Sequence, residues 1–399
     1  MFVADVYHLS DRMRDLLEIA SFVYCADRHT NRGPKDALEF HAWARSFHFV
    51  IRVRAFDFWR QTHVSRSLEE LLRFLSGNKE IRFTFQPGHT TPPTNLFDAE
   101  EFSVANGNLA EVMLFSGGLD SLTGAVEHLA TTSKQLLLVS HRSGLSSTVT
   151  TQDTLVKELS TKYPGRIQHF KFRCGLIHER AAEETQRTRF FLYTSIAFAL
   201  ASNIGKQEIL VFENGITSLN FPKRHDLMLG RASRTTHPRT IAHLNAFFSH
   251  VAGDTFTVIT PYFWKTKTDV VEVLKQHGGR DLMSDSVSCS KTFNINEPGS
   301  GERGTHCGEC SQCVDRRFAA FAAGLEDCEG GIYARDLITR DITDDEARTT
   351  LMDFVRQAQD FAKWNRDHFY TNRISALSEI KVVAKGIRDA VEARQDNHK

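Results

Sequence analysis

The chain has 399 residues, with 49 Lys plus Arg against 49 Asp plus Glu, so its formal net charge is zero. It lacks the overall basic excess of a protein that tracks nucleic-acid phosphates, and nucleic acid is not the expected partner. At 41% hydrophobic and 25% charged, with 24 Gly and 9 Pro, it has the composition of a folded protein of two or three domains.

The longest apolar helical run, residues 190–201, contains Tyr193, Thr194 and Ser195, so no membrane span is expected. The opening Met-Phe-Val-Ala-Asp-Val-Tyr-His lacks a basic stretch followed by an apolar one, and a cytoplasmic location is the expectation. Seven cysteines is an odd number, and four of them cluster late in the chain, which in a reducing compartment favours a metal site over disulfides.

In chain order, Leu16, Leu17, Ile19, Ala20 and Val23 predict a helix, 47–56 alternates as a strand does, a second helix falls near 68–75, and 81–85 alternates again. This reads as an N-terminal α+β domain over 1–100, closed by a Pro-rich linker at 88–95. From 112 the pattern becomes strict alternation. Strands at 112–115, 135–140, 167–172, 208–213 and 256–260 are separated by helices at 120–131, 150–160 and 185–203, with another at 268–276. Such alternation implies an α/β, Rossmann-like parallel sheet over 101–335, with its ligand at the carboxyl ends of the strands. Residues 336–399 read as a C-terminal helical tail.

The first strand of that sheet ends in Ser116-Gly117-Gly118-Leu119-Asp120-Ser121, which runs straight into a helix. Two glycines allow a tight turn and close backbone approach, while the Ser116 and Ser121 hydroxyls and the N–H groups at the helix start can donate to phosphate oxygens. The plain alternative is a strand-to-helix turn capped by Asp120. No Walker A Gly-Lys-Ser/Thr ending is present. Gly299-Ser-Gly301-Glu-Arg-Gly304 matches a dinucleotide fingerprint in letters only, since it follows no predicted strand and opens no helix.

Cys307, Cys310 and Cys313 are spaced by two residues, and Cys289 stands upstream. Four thiolates can close a tetrahedron around Zn²⁺, within a segment spanning 289–313. An iron–sulfur cluster is the rival, although the run lacks the further Cys-Pro of a ferredoxin. Cys25, Cys174 and Cys328 read as packing residues.

The loop resembles that of the N-type ATP pyrophosphatases, the PP-loop branch of the adenine nucleotide alpha-hydrolase-like fold. Together with Arg189 opening a helix, Lys267-Thr268-Asp269 and the four cysteines, residues 110–325 are similar to the 7-cyano-7-deazaguanine synthases (QueC). That resemblance implies ATP and Mg²⁺ as cofactors, a 7-deazaguanine carboxylic acid as substrate, and catalytic roles for Ser116, Asp120, Ser121, Lys267 and Arg189. It further implies that Ser116, Gly117, Gly118, Leu119, Asp120 and Ser121 hold the nucleotide, and Asn214 keeps the family's relative place; independently of it, His141, His225 and His237 fall in predicted loops near strand ends and are candidate contacts.

The substrate segments depart from the family. Ser140-His141-Arg142-Ser143-Gly144 replaces a Tyr-Gly-Gln-Arg-His type stretch, Phe190 replaces an Asn, and 213–224 lacks the family's intervening acid. With the added N-terminal unit, the chain looks like the synthase-like proteins of bacterial antiphage operons, in which the activated acid is captured by an amine of a partner protein. Asp27, Arg28, Trp59 and Arg60 are candidates for a protein-docking face, with a plain α+β core as the alternative. The leading expectation is therefore an AMP-forming carbon–nitrogen ligase. The other readings are a nitrile-making synthase, a tRNA-thiolating enzyme and a silent nucleotide-binding scaffold, and a homodimer is an allowed assembly.

Overall fold

The computed structural model describes residues 9–31, 44–88, 110–142, 146–175, 182, 187–219, 234–289, 306–329, 332–335 and 345–363. Helix α1 (Asp11–His29) starts where the Ser10 hydroxyl accepts from the Met13 N–H, and it buries Leu16, Ile19, Ala20, Val23 and Tyr24 at helical spacing. Strand β1 (Ser46–Val53), the single turn α2 (Phe56–Trp59), helix α3 (Thr62–Ser76) and strand β2 (Glu80–Pro87) follow. β1 and β2 pair in parallel from Ser46–Glu80 to Val53–Pro87, so α3 is the crossover of a small βαβ unit. Phe47, Phe49, Phe83 and Phe85 stack in sequence across it, as residues two apart on a strand must share a face.

Strand β3 (Ala110–Leu114), α4 (Leu119–Thr131), β4 (Gln135–His141), α5 (Ser146–Lys162), β5 (Ile167–Phe172) and α6 (Arg187–Asn203) form the first half of the second unit. Its second half contains β6 (Glu208–Leu210), α7 (Gly215–Leu219), α8 (Pro238–Ala252), β7 (Thr257–Ile259) and α9 (Lys267–Gln276). The five strands are parallel in the order β5-β4-β3-β6-β7. This is a doubly wound, Rossmann-like α/β sheet. Successive crossovers leave β3 on opposite sides, so a crevice opens between the carboxyl ends of β3 and β6.

Both faces are covered. Val112, Leu114, Leu137, Val139 and Ile209 pack against α6 and α8 in the same apolar cluster as Leu16, Trp59, Leu68 and Leu72, so the βαβ unit and one sheet face share a core. Met113, Leu136, Leu138 and Leu210 point the other way, toward α4, α9 and α10 (Ser311–Ala322). A last helix, α11 (Asp345–Lys363), belongs to the predicted tail; the rest of that tail, like 89–109 and 290–305, lies outside the described residues.

Two proposed docking residues are core residues. Trp59 is fully buried and donates its indole N–H to Asp15 at 3.0 Å. Asp27 is buried, pairs with Arg45, and accepts from the Thr188 hydroxyl at 2.6 Å. Arg28 lies over the Tyr24 ring, its guanidinium carbon 5.4 Å from the centroid. Arg60 is exposed and pairs locally with Asp57. No helix among the described residues is long and apolar enough to cross a membrane.

Candidate active site

The loop between β3 and α4 is shaped by its backbone. Gly117 sits at φ +83°, a conformation that strains any residue with a side chain, and a Cβ there would lie tightly at 3.2 Å from Thr151 and 3.3 Å from Gln152. Gln152 in turn donates to the Ser116 carbonyl at 3.2 Å. The Ser116 and Ser121 hydroxyls lie 3.1 Å apart, and the Gly118 N–H donates to Ser116 Oγ at 3.2 Å. The N-cap, Gly118, supplies no side-chain cap, leaving the positive end of α4 to face the crevice.

Asp120 does not point at this cradle as a phosphate ligand would, and a carboxylate offers a phosphate no proton. Buried at the first turn of α4, it accepts from Lys267 Nζ at 2.8 Å through one oxygen, and from Asn214 Nδ2 at 2.8 Å and the Asn214 N–H at 3.2 Å through the other. Lys267 opens α9, whose start is fixed by a capping box between Thr266 and Asp269. Asn214 also binds Thr217, through Nδ2 to the hydroxyl at 2.9 Å and through Oδ1 from the N–H at 3.0 Å. One carboxylate thus ties three elements together and places an ammonium beside the loop.

Around them lies a cavity of about 390 Å³ at the crevice between β3 and β6. Ser116, Gly118, Asp120, Ser121, Lys267 and Arg189 line it, together with Tyr193, Glu213, Thr217, Thr235, Cys289 and Gln312. Leu119 contributes backbone only, because its side chain is fully buried and its N–H donates to Ser288 Oγ at 3.3 Å. Asn214 stands behind the wall. Tyr193 donates to the Phe115 carbonyl at 2.8 Å, and its burial pushes the phenol up to about 12.

His141 is not brought to this cavity. It is buried between Tyr24 of α1, edge-on at 5.8 Å, and Phe172 at 5.0 Å, and both ring nitrogens are enclosed without a hydrogen bond among the described residues. Burial, then the charges of Arg189 and Arg28, lower it to about 3, so the ring is neutral. His237 is half-buried and caps α8 by accepting the Arg239 N–H at 3.1 Å. His225 lies outside the described residues.

Sequence reasoning gave no role to Glu213 or Ser288. Glu213 lies just past β6, beyond Val211 and Phe212, and its place near the strand end was its only signal. Burial first, then the Asp120 charge, raise it to about 7 against the pull of Lys267. Ser288 is visible only through its fold partner Leu119.

The four cysteine sulfurs, Cys289, Cys307, Cys310 and Cys313, lie within 4.8 Å of one another. Individual separations are 3.9 Å for 289–310, 3.8 Å for 307–313 and 3.4 Å for 310–313. Zn–S bonds of about 2.3 Å in a tetrahedron set sulfurs about 3.8 Å apart, so the donor set and its size fit a metal ion of this kind. The segment is latched to the phosphate loop: Val287 N–H donates to the Gly117 carbonyl at 3.0 Å, and Ser288 supplies the acceptor for Leu119. His306 accepts the Ser288 N–H at 3.1 Å, and burial with the Arg316 charge keeps its ring neutral, at about 3. Beneath, the fully buried Arg316 binds Glu329 at 3.0 and 2.8 Å and donates to the carbonyls of Ser286 at 2.8 Å and Met283 at 2.7 Å.

Residues 175–324 match the family model described as queuosine biosynthesis protein QueC, a stretch that contains Arg189, Glu213, Lys267 and all four cysteines. Over this stretch the chain is QueC-like. The loop 116–121 precedes the match in sequence, yet the fold brings it against the QueC-like residues Asn214, Lys267 and Ser288. No curated protein matches the chain. The QueC-like segment on a PP-loop sheet supports an ATP-using enzyme of 7-deazaguanine-related chemistry.

Proposed function

We propose that the protein is an AMP-forming ligase that adenylates the carboxylate of a 7-deazaguanine acid and passes the acyl group to an amine, carried by a partner protein in an antiphage system. One observation carries the reading. The Ser-Gly-Gly-Leu-Asp-Ser loop, the Lys267–Asp120 pair and Arg189 meet in a single cavity with the QueC-like strand end.

In this reading the loop N–H groups with Ser116 and Ser121 hold the phosphates at the start of α4. Lys267, aimed by its ion pair with Asp120, stands where negative charge grows as the α–β phosphate bond breaks. Arg189 meets the substrate carboxylate, whose oxygen attacks the α-phosphorus. Mg²⁺, when bound with ATP, neutralises the departing pyrophosphate. The four cysteines hold Zn²⁺ as a fastening and take no part in bond making. The amine reading rests on the altered segments at 140–144 and 213–224, and the operon setting rests on resemblance alone.

The test is incubation of pure protein with ATP, Mg²⁺, 7-carboxy-7-deazaguanine and ammonia, with mass spectrometry of the base and AMP followed in parallel. AMP formed only when a candidate partner protein is added, with that protein gaining mass, is the expected result. Accumulation of the amide and then the nitrile would assign the synthase reading instead. No AMP under any of these conditions would sink both.

A further inference from the structure

Glu213 is the one carboxyl lining the cavity that makes no hydrogen bond among the described residues. Asp120 is already committed to Lys267 and Asn214. The charges that act on Glu213 are those of Asp120 of α4 and Lys267 of α9, while Arg189 and Tyr193 of α6 and Cys289 of the cysteine segment line the same cavity. Tyr193 is occupied with the Phe115 carbonyl. Among the described residues, nothing else in the cavity wall is an uncommitted carboxylate or imidazole.

Amide formation needs such an acceptor. As the amine nitrogen bonds to the acyl carbon, the carbon–oxygen bond to AMP breaks and its electron pair leaves on the phosphate oxygen. The nitrogen, which would otherwise carry a positive charge, must shed one proton. The fixed cations Lys267 and Arg189 cannot take it, and the departing phosphate, with a second pKa of about 6, is the weaker acceptor.

We propose that Glu213 is the general base of the amide-forming step, receiving the proton of the attacking amine as AMP departs. The inference rests on the ligase reading above and assigns a role within it. Its position after β6 fits, since it borders the same cavity as the loop and Lys267, to which the ligase reading assigns the phosphates. The environment fits as well: burial and the neighbouring Asp120 charge hold Glu213 near about 7, where a base is half available at neutral pH and strong enough to accept a proton. An ordinary exposed glutamate would be ionised but much weaker.

The experiment separates the two half-reactions. Acid-dependent ATP–pyrophosphate exchange reports adenylation, and single-turnover amide formation with a high concentration of glycinamide, standing in for the partner protein's amine, from pH 5.5 to 9, reports the second step. Hydroxylamine, uncharged and strongly nucleophilic at neutral pH, serves as an amine with little need of a base. Glu213→Gln is expected to lose roughly 10²–10⁴-fold more in amide formation than in exchange, to lose the rising limb centred near pH 7, and to recover most of its deficit with hydroxylamine. Glu213→Asp, which keeps the carboxyl, should fall between and retain the limb. Equal losses in exchange and amide formation, or an unchanged pH profile in Glu213→Gln, would overturn the assignment. Absence of exchange in the unaltered protein would instead sink the ligase reading, and the role of Glu213 with it.

Discussion

Asp120 illustrates how one side chain decides a site from behind. Its three accepted hydrogen bonds come from residues far along the chain, Lys267 among them, so its charge is spent on holding an ammonium at the cavity wall. Asp120→Asn keeps the shape but removes the charge, leaving Lys267 half-buried without a counterion. AMP release should fall by about two orders of magnitude, the scale of losing one aimed electrostatic group, with folding judged by melting; a rate close to that of the unaltered protein would detach the pair from the chemistry. Gly308 makes a comparable case for the metal segment. At φ +87°, with the place of a Cβ only 1.6 Å from the Arg335 carbonyl oxygen, it tolerates no side chain. Gly308→Ala is expected to lower bound zinc below the roughly one ion per chain of a closed four-cysteine site, together with the melting temperature; full metal content would show that the knuckle can relax.

At the level of elements, α10 is anchored less by its apolar stripe than by Arg316, which joins it to Glu329 and to the carbonyls at 283 and 286, just ahead of Ser288. Arg316→Met leaves Glu329 buried with Tyr333 as its remaining partner, and breaking such a pair costs about 3–5 kcal/mol. Chemical denaturation should register that loss, and replacing Glu329 by Leu in the same chain should recover much of it; a single variant as stable as the parent would mean that water reaches Glu329. None of this was legible in the letters, because a buried ion pair looks like two surface charges until the chain folds. The alternation of β3 through β5 with α4 to α6 was legible, since periodicity is local. So was the phosphate loop, whose glycines are neighbours. Helix α8 was passed over although Leu244, Phe247, Phe248 and Val251 repeat helically and Gly253 ends it in the left-handed region. Its N-cap is a histidine, outside the usual capping set. Asp27 and Trp59 looked like surface candidates because Arg45, Thr188 and Asp15, which bury them, lie elsewhere in the chain.

Across the whole molecule, the βαβ unit and the nucleotide sheet are joined by one apolar core, and that shared core is what buries His141 against Tyr24. The same burial makes stability depend on pH in a definite direction. His141 is lowered to about 3, and His169 and His237 to about 4, in each case chiefly by burial. Their ordinary value is 6.5, so below it the unfolded chain binds protons that the folded chain refuses. The stability these neutral rings contribute is complete above pH 6.5 and is lost as pH falls toward 4. Glu213, raised to about 7, works in the opposite sense between its ordinary 4.5 and 7, but it is outnumbered by these three histidines and His306, likewise lowered to about 3. The melting temperature should therefore fall as pH drops from 6.5 to 4.5. His141→Phe removes one titrating ring and two enclosed, unpaired nitrogens while keeping an aromatic ring between Tyr24 and Phe172. Relief of an unsatisfied buried polar group, at about 1–3 kcal/mol, should raise the melting temperature and flatten its acid limb. Because His141 stands outside the cavity wall, AMP release should persist in this variant; a stable, well-folded His141→Phe protein that no longer released AMP would return the residue to the nucleotide site.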